Sequence, residues 1–355
     1  MTKNSNKAFF TQTLLWWNRN VNERLMPWKG EKDPYKIWLS EIILQQTRVE
    51  QGWEYYLRFV KKFPTVKKLA AAREDDVFKL WEGLGYYSRC RNLLASARYI
   101  NNELAGRFPN TYHEILELKG IGPYTAAAIA SFAFNLPYAV VDGNVNRVLA
   151  RFFGIPTPID STAGKKHFAA LAQELLDQQE PGLHNQAIMD FGATICKPQL
   201  PLCIDCMLSQ HCAAYNTGKV NELPVKEKKI IKKNRWFYYV VLEKDEKFFI
   251  RKREGKDIWQ SLYEFILIEW PGKIDPQELL QTEEFKSVLP SRVQLVEVSL
   301  EYKQQLTHQT IHAVFIVMQM VGGAAPNGYE LVLAKDFKKI AFPRLLNHFI
   351  AQKAW

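Results

Sequence analysis

Cysteine is scarce, with five in 355 residues, too few to staple a secreted scaffold. No repeat at solenoid spacing occurs, and Met1-Thr2-Lys3-Asn4-Ser5-Asn6-Lys7 leads into no apolar stretch of signal-peptide type. Ile121 to Val141 carries no charge for 21 residues, but Gly122, Pro123, Asn135 and Pro137 interrupt it. A membrane-spanning helix would not end and restart there. These absences exclude disulfide-built, repeat and membrane-spanning classes. Acidic residues are the minority, 37 against 47 basic ones, for a net charge of +10, which fits a polyanion partner. The 47% apolar and 24% charged content is that of a soluble globular chain, so disorder is excluded as well.

The length suggests two domains. Apolar residues recur at three and four spacing through Tyr35–Val60, Asp75–Leu80, Arg91–Leu104 and Ala163–Leu176, which predicts a mostly helical domain over 1–215. Lys226-Glu227-Lys228-Lys229-Ile230-Ile231-Lys232-Lys233 has few packing residues, and 216–234 reads as a basic linker. β-rich runs follow at Trp236–Leu242, Phe248–Arg251, Phe265–Trp270, Val293–Tyr302 and Ala313–Val321, defining a second domain over 235–355. Both 1–224 and 225–355 carry +5, so both are suited to a polyanion.

Four of the five cysteines fall in Cys196-x6-Cys203-x2-Cys206-x5-Cys212. Four thiolates in one loop (196–212) complete the set that tetrahedral zinc or a cubane iron–sulfur cluster needs. Zinc sites more often pair two Cys-x2-Cys knuckles across a longer insert. Only one such pair exists here, so the spacing favours iron–sulfur while leaving zinc open. Cys90 stands apart, as a small residue of a packed helix would. A second pattern is Leu118-Lys119-Gly120-Ile121-Gly122-Pro123-Tyr124. Glycines two apart permit a tight turn, and Pro123 suits a first helical turn. Such a hairpin opening a helix points free N–H groups at a phosphate.

Two carboxylates differ in setting. On the Tyr35–Val60 helix, Glu41 has Ile37, Trp38 and Leu44 at i−4, i−3 and i+3. That apolar face should raise its pKa and suit a general acid. Asp142 precedes a helix start, where free N–H groups and the dipole should keep it ionised. One protonated and one ionised carboxyl is the pairing that cleaves glycosidic bonds.

The hairpin, Val141-Asp142-Gly143-Asn144 and the four-cysteine loop together resemble the helix–hairpin–helix DNA glycosylases related to endonuclease III. Leu39-Ser40-Glu41-Ile42-Ile43-Leu44-Gln45-Gln46-Thr47-Arg48 narrows the resemblance to the MutY-type adenine DNA glycosylases. The match is dense from Pro27 to Cys212 and looser beyond. It implies a mostly α helix–hairpin–helix core followed by an α+β Nudix-like C-terminal domain, and a 4Fe–4S cluster on Cys196, Cys203, Cys206 and Cys212. It implies that Glu41 protonates adenine N7, and that Asp142 stabilises the oxocarbenium-like sugar with Asn144 beside it. Tyr124 falls where bifunctional relatives carry a Schiff-base lysine, and a phenol cannot form an imine. Lys119 departs from the proline that the family often has there.

Further roles carried by the resemblance are an adenine pocket at Trp28, Lys29 and Gln186, and DNA contacts at Gly120 and Gly122. Gln46, Leu84 and Tyr86 match residues that wedge into the duplex at the lesion, offsetting the cost of flipping the base. Arg89, Arg91, Lys165 and Lys166 are candidate phosphate contacts. Phe249-Ile250-Arg251-Lys252-Arg253, Gly255 and Trp259-Gln260-Ser261-Leu262-Tyr263-Glu264-Phe265 resemble the Nudix-like half. No Arg-Glu-x-x-x-Glu-Glu metal cluster follows Phe265, so that half should recognise, not hydrolyse. Leu306-Thr307-His308 aligns with a Phe-Ser-His segment that contacts 8-oxoguanine, with Leu replacing the aromatic. The implied protein is a cytoplasmic, nucleoid-associated monomer acting on double-stranded DNA with an adenine mispair, without a membrane partner. Two alternatives differ in stated residues. An endonuclease III-like pyrimidine glycosylase/lyase requires lysine at 124, and a non-catalytic damage-binding protein has no use for both Glu41 and Asp142.

Overall fold

Helix starts are written locally along the first 216 residues. Asp33 accepts from the Tyr35 N–H with Pro34 in the first turn; Thr65, Thr111, Asp142 and Ser161 cap in the same way. The computed structural model describes residues 3–227, 231–353 and 355, so Lys228, Lys229 and Ile230 of the basic stretch lie outside the described residues. In chain order the helices are α1 (Lys3–Asn20), α2 (Pro34–Leu44), α3 (Val49–Lys62), α4 (Val66–Ala70), α5 (Glu74–Trp81), α6 (Tyr87–Asn102), α7 (Tyr112–Glu117), α8 (Pro123–Phe134), α9 (Gly143–Phe153), α10 (Thr162–Leu175), α11 (Pro181–Thr194) and α12 (Ala213–Asn216). Among the described residues no helix is long and apolar enough to cross a membrane. The chain forms two units, Met1–Ala71 with Asn92–Lys228, and Ala72–Arg91 with Lys229–Trp355.

In the first unit, α9 turns Val145, Val148, Leu149 and Phe152 into a core shared with Phe10, Leu14, Phe168 and Phe191. The small residues Ala126, Ala127, Ala128 and Ala130 of α8 are buried with Ile129, and α8 packs on α2 and α11. A Cβ on Gly182 would stand 2.7 Å from the Ser131 carbonyl oxygen, so α11 passes α8 at backbone distance. The single helix expected over Tyr35–Val60 is two, α2 and α3, with Gln46 left-handed at φ 57° between them. The apolar period runs across the break because both helices pack together. Gly52 permits that fold-back, since a Cβ there would lie 2.8 Å from Leu44 Cδ2. Residues of the expected linker pack too. Leu223 is buried, its carbonyl accepts from Arg151 Nε at 2.9 Å, and the Val225 carbonyl accepts from the Ile159 N–H at 3.0 Å.

The second unit is built on β1 (Lys233–Lys244), β2 (Lys247–Lys252), β3 (Tyr263–Glu264), β4 (Ile266–Trp270), β5 (Arg292–Val298), β6 (Tyr302–Gln305), β7 (Gln309–Gly322) and β8 (Glu330–Leu333). They form one mixed sheet in the order β3-β2-β1-β7-β5, with β4 on β1, β6 on β7 and β8 on β2. β1 runs parallel to β7 from Lys233↔Gln309 to Glu243↔Gln319. Both of its faces are buried, which explains its unbroken apolar run. Tyr238, Val240 and Leu242 join a core with Ile316 and Met318, while Tyr239 stacks on Phe315. The run expected over Val293–Tyr302 splits between β5 and β6.

Residues 72–91 complete this unit from the helical part of the sequence. Val77, Phe78 and Trp81 of α5 are buried. Lys79 Nζ donates to the Ile340 carbonyl at 2.9 Å, the Phe342 N–H to Glu82 at 2.8 Å, Lys252 Nζ to Asp75 at 2.8 Å and Arg91 to the Gln260 carbonyl at 2.8 Å.

Candidate functional site

A cavity of about 410 Å³ in the first unit is lined by Trp28, Lys29, Glu41, Tyr124, Asp142, Asn144 and Gln186, with Met26, Ile37 and Met189 among its apolar walls. Seven residues singled out from 28 to 186 therefore share one cleft. Glu41, on α2, is 6% exposed. Burial pushes its carboxyl up to about 7; a Tyr124 hydrogen bond opposes this and the Asp142 charge adds to it. Burial and both carboxylates hold the Tyr124 phenol well above its usual range, so Tyr124 is the donor in that bond.

Asp142 is the N-cap of α9: Oδ1 accepts from the Val145 N–H and Oδ2 from Asn144 Nδ2, both at 2.7 Å. These bonds favour the ionised form expected at a helix start, yet the Asp142 pKa lies above the ordinary carboxyl value. Burial raises it, and the Val145 and Asn144 hydrogen bonds and Arg147 oppose that rise without overcoming it. Arg147 then braces Asn144, giving Nη2 to Asn144 Oδ1 and to the Gly192 carbonyl, each at 2.7 Å, and Nε to the Cys196 carbonyl at 2.7 Å. Gly192 must be glycine here, since a Cβ would lie 2.6 Å from Asn144 Cβ.

Sequence reasoning missed Arg147, Gly192 and a buried carboxylate, Asp190, which binds Arg24, Lys29 and Gln186. The i,i+4 spacing of Gln186 and Asp190 was the available signal. The remaining candidates lie elsewhere. Gly120 has φ 83° and no room for a side chain, a Cβ being 2.6 Å from Asn92 Cβ. Gly122 begins α8 without a side-chain cap, which leaves N–H donors at the helix start. Gln46 is exposed at the turn between α2 and α3.

The second unit has its own cavity of about 460 Å³, lined by Leu84, Tyr86, Arg91, Gln260, Leu306, Thr307, His308 and Arg344 among others. Leu306 to His308 form the tip of the β6–β7 hairpin, closed by the Leu306 N–H to the Gln309 carbonyl at 2.8 Å. The Tyr86 and Thr307 hydroxyls are hydrogen-bonded. Tyr86 is 41% exposed, whereas Leu84 is 5% exposed; of the expected wedge residues, only Gln46 and Tyr86 present their side chains to solvent. Arg89 is likewise buried, and its guanidinium lies over the Trp81 and Tyr86 rings, so it braces the corner in place of meeting a phosphate. Arg91 is tied to Gln260, while Lys165 and Lys166 are exposed.

Cys196, Cys203, Cys206 and Cys212 line a third cavity, walled by Val148, Phe152, Phe191 and Leu208. None of the four is disulfide-bonded. Arg151 Nη1 lies 3.5 Å from Cys196 Sγ, and Cys212 Sγ donates to the Arg151 carbonyl at 3.4 Å. No group of three His, Cys, Asp or Glu among the described residues stands together as single-ion ligands.

Residues 39–177 match the family of HhH-GPD superfamily base excision DNA repair proteins, and residues 237–352 match the NUDIX domain. A relative from Buchnera aphidicola subsp. Baizongia pistaciae, named adenine DNA glycosylase, is 34% identical over 311 residues, 85% of this chain and 84% of its own. A solved thermostable thymine-DNA glycosylase superposes with a TM-score of 0.56 at 31% identity, covering 60% of this chain and 98% of that one. A trapped endonuclease III–DNA intermediate superposes at 0.53 with 19% identity, over 61% and 99%, and shares the fold. With a helical HhH-GPD core, a Nudix-like second unit and a relative matched over most of its length, the chain belongs to the adenine DNA glycosylase family.

Proposed function

We propose that the chain is a monofunctional base-excision repair glycosylase that hydrolyses the N-glycosidic bond of adenine mispaired with 8-oxoguanine or guanine. The observation that carries this reading is Glu41, buried and pushed up to about 7, hydrogen-bonded by Tyr124 and facing the same cleft as Asp142. A carboxylic acid that keeps its proton near neutrality can give it to adenine N7, turning a poor leaving group into a neutral base. Asp142, fixed by Val145 and Asn144, carries negative charge to the sugar as positive charge grows there. Burial disfavours its charged form, and the Val145 and Asn144 hydrogen bonds and the Arg147 charge counter that. Tyr124 donates a hydrogen bond that orients the Glu41 carboxyl, and it offers no amine for imine chemistry. Incubating the protein with a duplex carrying adenine opposite 8-oxoguanine should release adenine and give strand breaks only after alkali. Breaks before alkali would overturn the monofunctional reading; pyrimidine release in place of adenine would favour the endonuclease III-like alternative.

In this reading the adenine enters the cleft between Trp28, Lys29 and Gln186. Gln46 and Tyr86, each exposed in its own unit, serve as duplex wedges, and the N–H groups around Gly120 and Gly122 meet a phosphate. Thr307 and His308 supply a hydroxyl and ring nitrogens suited to the oxidised base opposite. His308→Ala is expected to lower the excision rate opposite 8-oxoguanine by about tenfold relative to that opposite guanine, and Leu306→Ala by less. Equal losses on both mispairs would remove His308 from lesion recognition.

The four thiols around one cavity fit a 4Fe–4S cluster, which takes one thiolate at each corner. Cys196, Cys203, Cys206 and Cys212 would hold it, and it would cross-link the 196–212 loop within itself beside Val148, Phe152 and Phe191. Purified protein should be yellow-brown with about four irons per chain. One zinc per chain in colourless, active protein would replace this assignment.

A further inference from the structure

Asp190, on α11, is fully buried at 0% exposure and accepts four hydrogen bonds. Oδ1 takes Arg24 Nη1 at 2.8 Å and Gln186 Nε2 at 2.9 Å; Oδ2 takes Asn22 Nδ2 at 2.8 Å and Lys29 Nζ at 3.1 Å. Two of these partners carry positive charge, as a buried carboxylate requires. Lys29 is held again by the Arg24 carbonyl at 2.9 Å. Arg24, Lys29 and Gln186 all line the cleft that contains Glu41, whereas Asp190 itself does not. It can influence a bound base only through them.

The consequence for Gln186 is chemical. An amide can turn either its donor or its acceptor toward a neighbour, but a carboxylate can only accept. Its nitrogen must therefore face Asp190. Gln186 Oε1 has no partner among the described residues, so the atom left for the cleft is an acceptor. We infer that Asp190 is a positioning residue that fixes the Gln186 amide so that the cleft presents an acceptor to an exocyclic amine, selecting 6-amino purines over 6-oxo purines. The inference rests on the cleft being the adenine site. A purine with a carbonyl at position 6 would set acceptor against acceptor, and buried polar groups left unpaired discriminate strongly.

The test compares single-turnover release of adenine, hypoxanthine and unsubstituted purine from otherwise identical duplexes. Asp190→Asn keeps the shape but can offer an N–H, which frees Gln186 to turn its nitrogen into the cleft. The adenine-to-hypoxanthine rate ratio is expected to fall by about tenfold or more. Gln186→Leu, with the Asp190 cluster left on its three other donors, should lower the same ratio and bring adenine close to unsubstituted purine. Combining the two substitutions should change the ratio no further, because both act through one amide. An Asp190→Asn protein that loses activity on all three bases in parallel, with its ratio unchanged, would make Asp190 a merely structural anchor and overturn the proposal. So would an unchanged ratio in Gln186→Leu, which keeps the test decisive if Asp190→Asn does not fold. Wild-type protein that releases no adenine would instead overturn the reading of the cleft itself, and this inference with it.

Discussion

Glu41→Gln is expected to lower adenine excision at pH 7 by about a thousandfold, in the range that removing a general acid produces. An amide keeps the shape and a hydrogen bond with Tyr124 but has no proton to give. The wild-type rate should carry the matching pH signature. The acid form is needed, and its pKa is raised to about 7, so acid-limited excision should fall about tenfold per pH unit above that value. In Glu41→Gln this dependence should vanish. The same substitution should leave the protein more stable in alkali. A carboxyl whose folded pKa of about 7 exceeds its ordinary 4.5 destabilises the fold progressively as pH rises from 4.5, and fully above 7. The full shift corresponds to on the order of 3 kcal/mol. A higher melting temperature for Glu41→Gln at pH 8, together with lost activity, would separate chemistry from unfolding. Activity at pH 7 equal to wild type would require another acid.

Asp142→Asn should be comparably inactive, losing about a thousandfold in excision while keeping affinity for the mispaired duplex. Asparagine caps helices about as well as aspartate, so its oxygen can still accept from the Val145 N–H, and α9 should persist. The loss would then report the missing negative charge. Gel-shift affinity and single-turnover rates on the same duplex provide the check. Excision within about tenfold of wild type would show that a charge at this position is not needed.

The environment of Glu41 was legible because local spacing places Ile37, Trp38 and Leu44 around it. The cap at Asp142 was legible for the same reason, as helix starts are written over four residues. Its raised pKa was not, because the desolvation responsible comes from the cleft it shares with Glu41 and Tyr124, which only the tertiary fold assembles. Asp190 shows the same limit: its partners Asn22, Arg24 and Lys29 lie more than 160 residues away in sequence. The break at Gln46 escaped notice because neither glycine nor proline marks it. In Val77, Phe78 and Trp81 the pattern tells that one face of α5 is buried, without telling what buries it.

The discontinuity of the second unit also bears on how the chain matures on the ribosome. Residues 72–91 are synthesised about 140 residues before their partners in 229–355 begin to emerge. At ordinary elongation rates that is an interval of about 7–28 seconds, during which Asp75, Lys79 and Glu82 lack their partners Lys252, Ile340 and Phe342. A chain ended early near 228 would lack those partners permanently. Chaperone retention or protease sensitivity centred on 72–91, in a protein whose first unit is otherwise folded, is the fate expected of nonsense products, and of substitutions such as Phe342→Ala that loosen the late-arriving partner.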